Sequence, residues 1–190
     1  PKPMVPMMNK PMMQHIVDLL KTHGITDIVS TLFYQPEIIS SFFNDGSAFG
    51  IKMQYRKAEA DYGTAGSVRN AADFLDERFI VISGDVLTDF DLSKAIEFHE
   101  KKKAMATLVL THAKNPLQFG VVITDGDGKI TRFLEKPSWG EVFSDTINTG
   151  IYILEPEVLE LVPYQEDVDF SKNLFPALLE KNAGLYGYIS

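Results

Sequence analysis

The chain has 190 residues, 45% hydrophobic and 23% charged, with a formal net charge of −8. That is the make-up of one globular domain with room for a sizeable core. It has no cysteine, which excludes disulfides, iron–sulfur clusters and cysteine zinc sites. No apolar run approaches the ~20 residues of a membrane span, no signal peptide is visible, and the acidic balance argues against a nucleic-acid partner. The expectation is a cytoplasmic protein with neither membrane nor nucleic acid as partner.

The chain opens on "PKPMVPMMNKPM". Three prolines in its first six residues predict a stiff, extended connector. A helix follows over 11–23, because Met13, Ile16, Val17 and Leu20 fall at helical spacing and Gly24 supplies the stop. "DIVSTLFY" reads as a strand, "PEIISSFF" as a short helix closed by "NDG", and "IKMQYR" as the next strand. "AGSVRNAADFL" is a helix and "RFIVIS" a strand apolar on both faces. Asp91 caps a helix running through Lys94, Ile96 and His99. That helix ends in Lys101-Lys102-Lys103, cations that suit a helix carboxyl end. "MATLVLT" is again a fully apolar strand. Alternating β and α with two-sided apolar strands implies a largely parallel sheet covered by helices.

After Asn115 the pattern changes. "FGVVITDGDGKITRFLEK" reads as two strands around Asp127-Gly128, an antiparallel hairpin insertion. "INTGIYIL" is a strand, "PEVLELV" and "KNLFPALLEK" are short helices, and "LYGYIS" begins a last strand. The fold class is therefore α/β, a Rossmann-like, mostly parallel but mixed sheet flanked by helices. A sheet wound this way calls for a strand before its first helix, and none is present. Both ends of the sequence read as cut.

The histidines stand at 15, 23, 99 and 112 with no i, i+4 pair, so a helical zinc site has no support. Neither a nucleophile elbow, nor a P-loop, nor a G-x-G-x-x-G turn occurs. Four stretches remain. An apolar strand ends in Ser83-Gly84-Asp85, where open α/β sheets bind ligands. Asp85 there suits Mg²⁺, or equally a turn in which it bonds local amides. Asp89 and Asp91 read as turn and cap residues. "YGTAGSV", between strand and helix, can lay backbone N–H groups against a phosphate or base, or be a tight turn. Glu135 and Lys136 of "FLEKP" can meet sugar hydroxyls and phosphate, or be a solvated strand end. Asn148, Thr149 and Gly150 interrupt an apolar strand, which suggests a functional face, a bulge, or a plain strand start.

Taken in order, "PKPMVPMMNKPM", "YGTAG", "SGDVLTDFDL", "FGVV", "FLEKP", "INTGIYIL" and "DFSKNLFPALL" resemble the nucleotidyltransferase domain of sugar-1-phosphate nucleotidylyltransferases. Among these the pattern is most similar to mannose-1-phosphate guanylyltransferases. The resemblance covers essentially all of residues 1–190 as one nucleotidyltransferase domain. It implies that a first strand with a glycine-rich phosphate loop, and a C-terminal segment with a second metal ligand, lie outside these residues. It further implies that the 190 residues alone have little activity. The implied roles are Lys2 and Asp85 in catalysis, with Asp85 holding Mg²⁺. Gly63, Thr64, Ala65, Gly66 and Gly84 would bind the nucleotide. Gly120, Glu135, Lys136, Asn148 and Thr149 would bind the sugar phosphate.

The implied partners are an NTP and a sugar-1-phosphate, with GTP and mannose-1-phosphate first. Ala58 and Glu59, together with "GDV" at the metal motif, depart from the thymidylyltransferase pattern. UTP or another NTP with glucose-1-phosphate is the alternative, as is a non-catalytic nucleotide-sugar-binding subunit. The resemblance also admits a homo-oligomer and C-terminal domains in the full-length protein.

Overall fold

The longest strand, β9 (Thr146–Leu154), organises the sheet. The computed structural model describes residues 1–135, 138 and 144–190, with Glu135 described by its backbone alone. Strand β9 runs antiparallel to β6 (Ala106–His112) along one edge. On its other edge it pairs antiparallel with β5 (Phe79–Ile82) through residues 151–154 and with β7 (Gly120–Thr124) at Ile147. β7 forms an antiparallel hairpin with β8 (Ile130–Glu135). β10 (Leu185–Ile189) adds to β6 in parallel. A second, two-stranded parallel sheet joins β3 (Asp27–Leu32) to β4 (Lys52–Lys57).

The sheet is mixed, as expected, but less parallel than the sequence implies. β5, β6, β7 and β10 all run one way, and β9 is laid against three of them in the opposite sense. Its apolar run reads the same in either direction, so its orientation was not legible.

Helices cover both faces. Val109, Ile151 and Ile153 point to one face, against Ile16 and Leu20 of α1 (Met12–Thr22) and Leu92 and Ala95 of α4 (Leu92–Lys102). The alternate residues Leu108, Leu110, Tyr152 and Leu154 point to the other. There they meet Ala65 of α3 (Gly63–Asn70), the π-turn Phe170–Leu174 and α5 (Phe175–Glu180). Phe170, Phe175 and Tyr152 stack within 5.5 Å of one another. α2 (Pro36–Phe43) closes a smaller core with β3 and β4, where Phe43 is fully buried. No helix among the described residues is long and apolar enough to cross a membrane.

The opening segment corrects the expectation of a rigid extended connector. Lys2–Met4 form a 3₁₀ turn, and β1 (Pro6–Met7) pairs antiparallel with β2 (Lys10–Pro11). Met8 and Asn9 between them have φ of 49° and 66°, the left-handed pair of a two-residue hairpin turn. The prolines sit at the hairpin's ends, where a missing N–H is tolerated.

β3 and β5 are edge strands of separate sheets and do not pair with each other. Leu32, at the end of β3, shares a core cluster with Met4 and Met13, whereas Ile25, just before β3, shares one with Leu20 of α1. Gly84, just past β5, lies against Pro3. Both strands thus end beside the same Lys2–Met4 turn. No backbone hydrogen bond joins them among the described residues. A cavity of about 560 Å³ separates them.

At the opposite end of the sheet, fully buried His99 is held between two side chains. Its Nδ1 lies 2.8 Å from Thr107 Oγ1 and its Nε2 3.0 Å from Glu155 Oε1. Arg78 donates to Glu155 at 2.6 Å and to Glu100 at 2.7 Å. Burial pushes the His99 pKa below its usual value, and Arg78 adds to that, against the opposing pull of Glu155 and Glu100. Burial alone would raise Glu155; hydrogen bonds from Arg78 and His99 outweigh it and hold the carboxyl below its ordinary range.

Two outcomes follow from this packing. The unfolded chain binds the His99 proton more readily than the folded one, so His99 contributes stability that is intact above pH ~6.5 and is lost as pH falls below it. Urea unfolding should weaken with falling pH by at most about 1.4 kcal/mol per unit from this group. His99→Gln should flatten the slope between pH 6.5 and 5, leaving the Glu155 effect below pH ~4.5. Second, a Cβ at Gly66 would overlap Glu166 O and stand 3.0 Å from Tyr62 Cβ. Gly66→Ala, which in an open helix would gain ~0.5–1 kcal/mol, should instead lose about 1–3 kcal/mol in the same denaturation experiment.

Candidate active site

The carboxyl end of β5 gathers three of the stretches singled out in the sequence. Gly84 stands in the turn after β5, and a Cβ on it would lie 3.0 Å from Pro3 Cγ. Glycine lets the Lys2–Met4 turn lie close to Ser83-Gly84-Asp85, where a side chain would press tightly on the Pro3 ring. From the other side, Gly150 of β9 faces the same turn, with Ser83 Cβ and Val86 Cγ2 about 3.9 and 3.8 Å from its Cβ direction. Residues 2–3, 83–86 and 148–150 therefore converge on one end of the sheet.

Asp85 is exposed and accepts a hydrogen bond from Ser83 Oγ at 2.8 Å. Lys2 is exposed and has no ion-pair partner among the described residues. No group of three or more metal-ligating side chains occurs among the described residues. Asp85 thus offers a single carboxylate rather than a closed protein cage. Asp91 accepts from Lys94 N at 3.2 Å as the cap of α4, and that bond lowers its pKa.

Asn148 and Thr149 sit where β9 departs from regular pairing. Leu108 is opposite Tyr152 but Leu110 is opposite Asn148, so β9 carries two extra residues there. Gly150 has φ of 80°, which glycine adopts without strain. The polar triplet therefore marks a bulge. Thr149 Oγ1 donates to Val109 O at 2.7 Å, and Asn148 Nδ2 reaches Tyr152 Oη at 3.0 Å and Ser171 Oγ at 3.3 Å. Asn148 Oδ1 accepts from Gly150 N at 3.0 Å.

The "GTAG" stretch forms the first turn of α3, and its amides have protein partners. Ala65 N and Gly66 N donate to Val168 O at 2.8 and 3.0 Å. Gly63, with φ of 66°, admits Asp167 and Val168, whose atoms would lie 2.5–2.7 Å from a Cβ. The glycines thus accommodate the segment 166–168. Thr64 is the member of the stretch that faces outward. Its Oγ1 donates to Asp169 Oδ2 and accepts from Phe170 N, both at 3.0 Å.

Asp169 and Ser171 were given no role from the sequence. Asp169 Oδ1 accepts from Ser171 N and Lys172 N at 2.8 and 3.0 Å. It links the Thr64 stretch to Ser171 and, through Ser171, to Asn148. The signal was present as an aspartate capping a turn before an apolar run, but its second carboxylate oxygen reaches Thr64 across 105 residues of sequence.

Gly120 is buried at the start of β7 and pairs in register with Glu135 at the end of β8. β7 in turn meets β9 at Val121 and Ile147, so this hairpin borders the same end of β9. Lys136 lies outside the described residues. His99, Thr107 and Glu155 repeat the hydroxyl–imidazole–carboxylate order of a hydrolytic triad. They are at the other end of the sheet, and His99 and Thr107 are fully buried, so no substrate reaches them.

The chain is 37% identical over 200 residues to a UTP–glucose-1-phosphate uridylyltransferase of Synechocystis sp., which covers 98% of this chain and 52% of that protein. It is 34% identical over 191 residues to a mannose-1-phosphate guanylyltransferase of Mycobacterium tuberculosis, covering 100% of this chain and 53% of the relative. The chain therefore spans about half the length of the curated relatives it matches. HddC from Yersinia pseudotuberculosis shares its fold, with a TM-score of 0.85 at 24% identity over 100% of this chain and 80% of that one. The model of the nucleotidyl transferase family matches residues 1–190, and the chain belongs to that family.

Proposed function

We propose that the protein to which these residues belong transfers a nucleotidyl group from an NTP to a sugar-1-phosphate. A phosphate oxygen of the sugar-1-phosphate attacks the α-phosphorus, the bond to the β-phosphate's bridging oxygen breaks, and pyrophosphate leaves. The observation that carries this reading is the convergence of Lys2-Pro3 with Ser83-Gly84-Asp85 at the carboxyl end of β5. The segment that carries a cation and the segment that carries a carboxylate meet there, with no activated nucleophile among the described residues. Phosphoryl chemistry of this kind needs positioning and charge stabilisation rather than a covalent intermediate.

In this reading Lys2 neutralises charge on the transferring phosphate, and Asp85 holds Mg²⁺. A lone carboxylate fits that ion, which is commonly held by one or two carboxylates plus substrate phosphates. Bound there, Mg²⁺ would neutralise phosphate oxygens. Gly63, Thr64, Ala65, Gly66 and Gly84 border the nucleotide. Gly120, Glu135, Lys136, Asn148 and Thr149 border the sugar phosphate. The protein works in the cytoplasm.

GTP with mannose-1-phosphate is the first pairing, in line with the guanylyltransferase relative. UTP with glucose-1-phosphate is the second, favoured by the 37% identity to the uridylyltransferase.

The test is pyrophosphate release by the full-length protein with Mg²⁺. GTP, UTP, dTTP, CTP and ATP are each paired with mannose-1-phosphate and glucose-1-phosphate. Turnover is expected in the GTP–mannose pairing, with Asp85→Ala lowering kcat on the order of a hundredfold or more. Lys2→Ala should lower kcat more than it raises KM. Nucleotide-sugar binding with no turnover in any pairing would replace this reading with a non-catalytic sensor.

A further inference from the structure

A second cavity, of about 290 Å³, is lined by Arg56 of β4, Arg69 and Asn70 of α3, Ala72, Asp73 and Tyr164. It lies at the opposite end of α3 from Gly63 and Thr64, and none of its residues belongs to the stretches placed at the candidate site. Two guanidinium groups thus line one space in a chain of net charge −8. Both have donors to spare. The Arg56 guanidinium lies over Phe74, 4.8 Å from the ring centroid, which holds it at the cavity wall. It meets Asp73 through Nη2, and its Nε is buried without a hydrogen-bond partner among the described residues. Arg69 donates through Nε to Val162 O at 3.1 Å and makes no ion pair among the described residues. A guanidinium carries five N–H donors, so most of those on the two arginines lack a protein acceptor. A buried donor without an acceptor costs free energy, and two like charges beside one cavity repel.

We infer that this cavity binds a small ligand through a phosphate dianion, at a site separate from the candidate active site. The dianion neutralises both guanidinium groups, and its oxygens accept N–H groups that the protein leaves unpaired. An apolar ligand would leave those donors without acceptors, and a cation would be repelled. Asp73 is the group with which the ligand competes for Arg56. Its side chain is 65% exposed, so it can turn to water at little cost. The volume is at the lower limit of the ~300–1,000 Å³ of small-molecule sites, which suits one phosphate with no more than a single sugar or nucleoside. Tyr164, 60% exposed, and the Asn70 amide complete the wall with an aromatic face and a hydrogen-bonding group. The site also spans two parts of the fold. Arg69 belongs to α3, and Tyr164 to the segment that runs from Val162 to Val168, whose carbonyl accepts from Ala65 N and Gly66 N. A ligand held by Arg69 and Tyr164 ties that segment to α3 a second time. The inference stands independently of the catalytic reading.

The probe is inorganic phosphate, titrated into the isotope-labelled full-length protein at constant ionic strength. It is followed by NMR at the Nε–H resonances of Arg56 and Arg69, assigned by substituting each arginine with lysine. The expected result is a saturable shift of both resonances with one common Kd, of about millimolar order or tighter. Arg56→Gln, read at Arg69, and Arg69→Gln, read at Arg56, should each raise that Kd about tenfold or more. Asp73→Asn removes the competing carboxylate and leaves both guanidinium groups in place, so it should lower the Kd severalfold. Glucose-1-phosphate and GMP are titrated in the same way. Tighter binding of GMP that Tyr164→Ala returns to the phosphate value assigns a nucleotide. Tighter binding of glucose-1-phosphate that is indifferent to Tyr164→Ala assigns a sugar phosphate, and equal affinity for all three assigns the phosphate group alone. The inference is overturned if neither resonance moves saturably, or if chloride at the same ionic strength moves both equally. It is also overturned if both glutamine variants bind phosphate as the parent protein does.

Discussion

β9 has to satisfy different partners along its two edges, and the rest of the site depends on how it does so. One edge pairs with β6 along most of its length. The other is divided between β5 at residues 151–154 and β7 at Ile147. A regular strand cannot pass from one register to the next without extra chain. β9 makes the change at Asn148, Thr149 and Gly150, where Gly150 turns to positive φ. Thr149 Oγ1 then restores a bond to the carbonyl of Val109, which lies inside the bulge. The polar side chains at this end of the sheet are therefore a consequence of partner exchange. An unbroken apolar strand could not have delivered Asn148 here.

The side facing α3 is held by a chain of short polar contacts. Thr64 meets Asp169, Asp169 caps Ser171, and Ser171 meets Asn148. Each bond contributes only about 1 kcal/mol in isolation. Their connectivity matters more. The stretch proposed for the nucleotide and the stretch proposed for the sugar phosphate share one framework through Asp169. The close seating of Gly63 and Gly66 on residues 166–168 makes that framework stiff, so Thr64 and Asn148 hold a fixed separation before any ligand arrives.

Much of this was legible in the residues, for reasons that differ by element. α1 and α4 declare themselves through apolar spacing and, for α4, the Asp91 cap, and they form at Met12–Thr22 and Leu92–Lys102. The hairpin of β7 and β8 follows from Asp127-Gly128, where Gly128 has φ of 83°. Strand direction was not legible, because an apolar run such as "INTGIYIL" carries no polarity. The helix read over "KNLFPALLEK" splits into a π-turn and α5, because Pro176 lacks the N–H that a regular ladder would use at that point. At the site, Ser83-Gly84-Asp85 was visible as the polar end of an apolar strand. The true neighbours of Gly63 and Gly66 were not, since they lie about a hundred residues downstream. Sequence spacing marks a glycine but does not name what approaches it.

The distribution of charge bears on how an acidic chain could handle polyphosphates. Asp76, Glu77, Glu100 and Glu155 cluster where β5 begins and β9 ends, opposite the end that carries Lys2. The candidate site is thus separated from that part of the negative charge by the length of the sheet. It is not itself cationic, however, since the segment carrying Asp85 lies against the segment carrying Lys2. One ammonium cannot offset a triphosphate and a sugar phosphate beside a carboxylate. The proposed reaction therefore needs a divalent cation at Asp85 and further donors near Pro3 and Gly84.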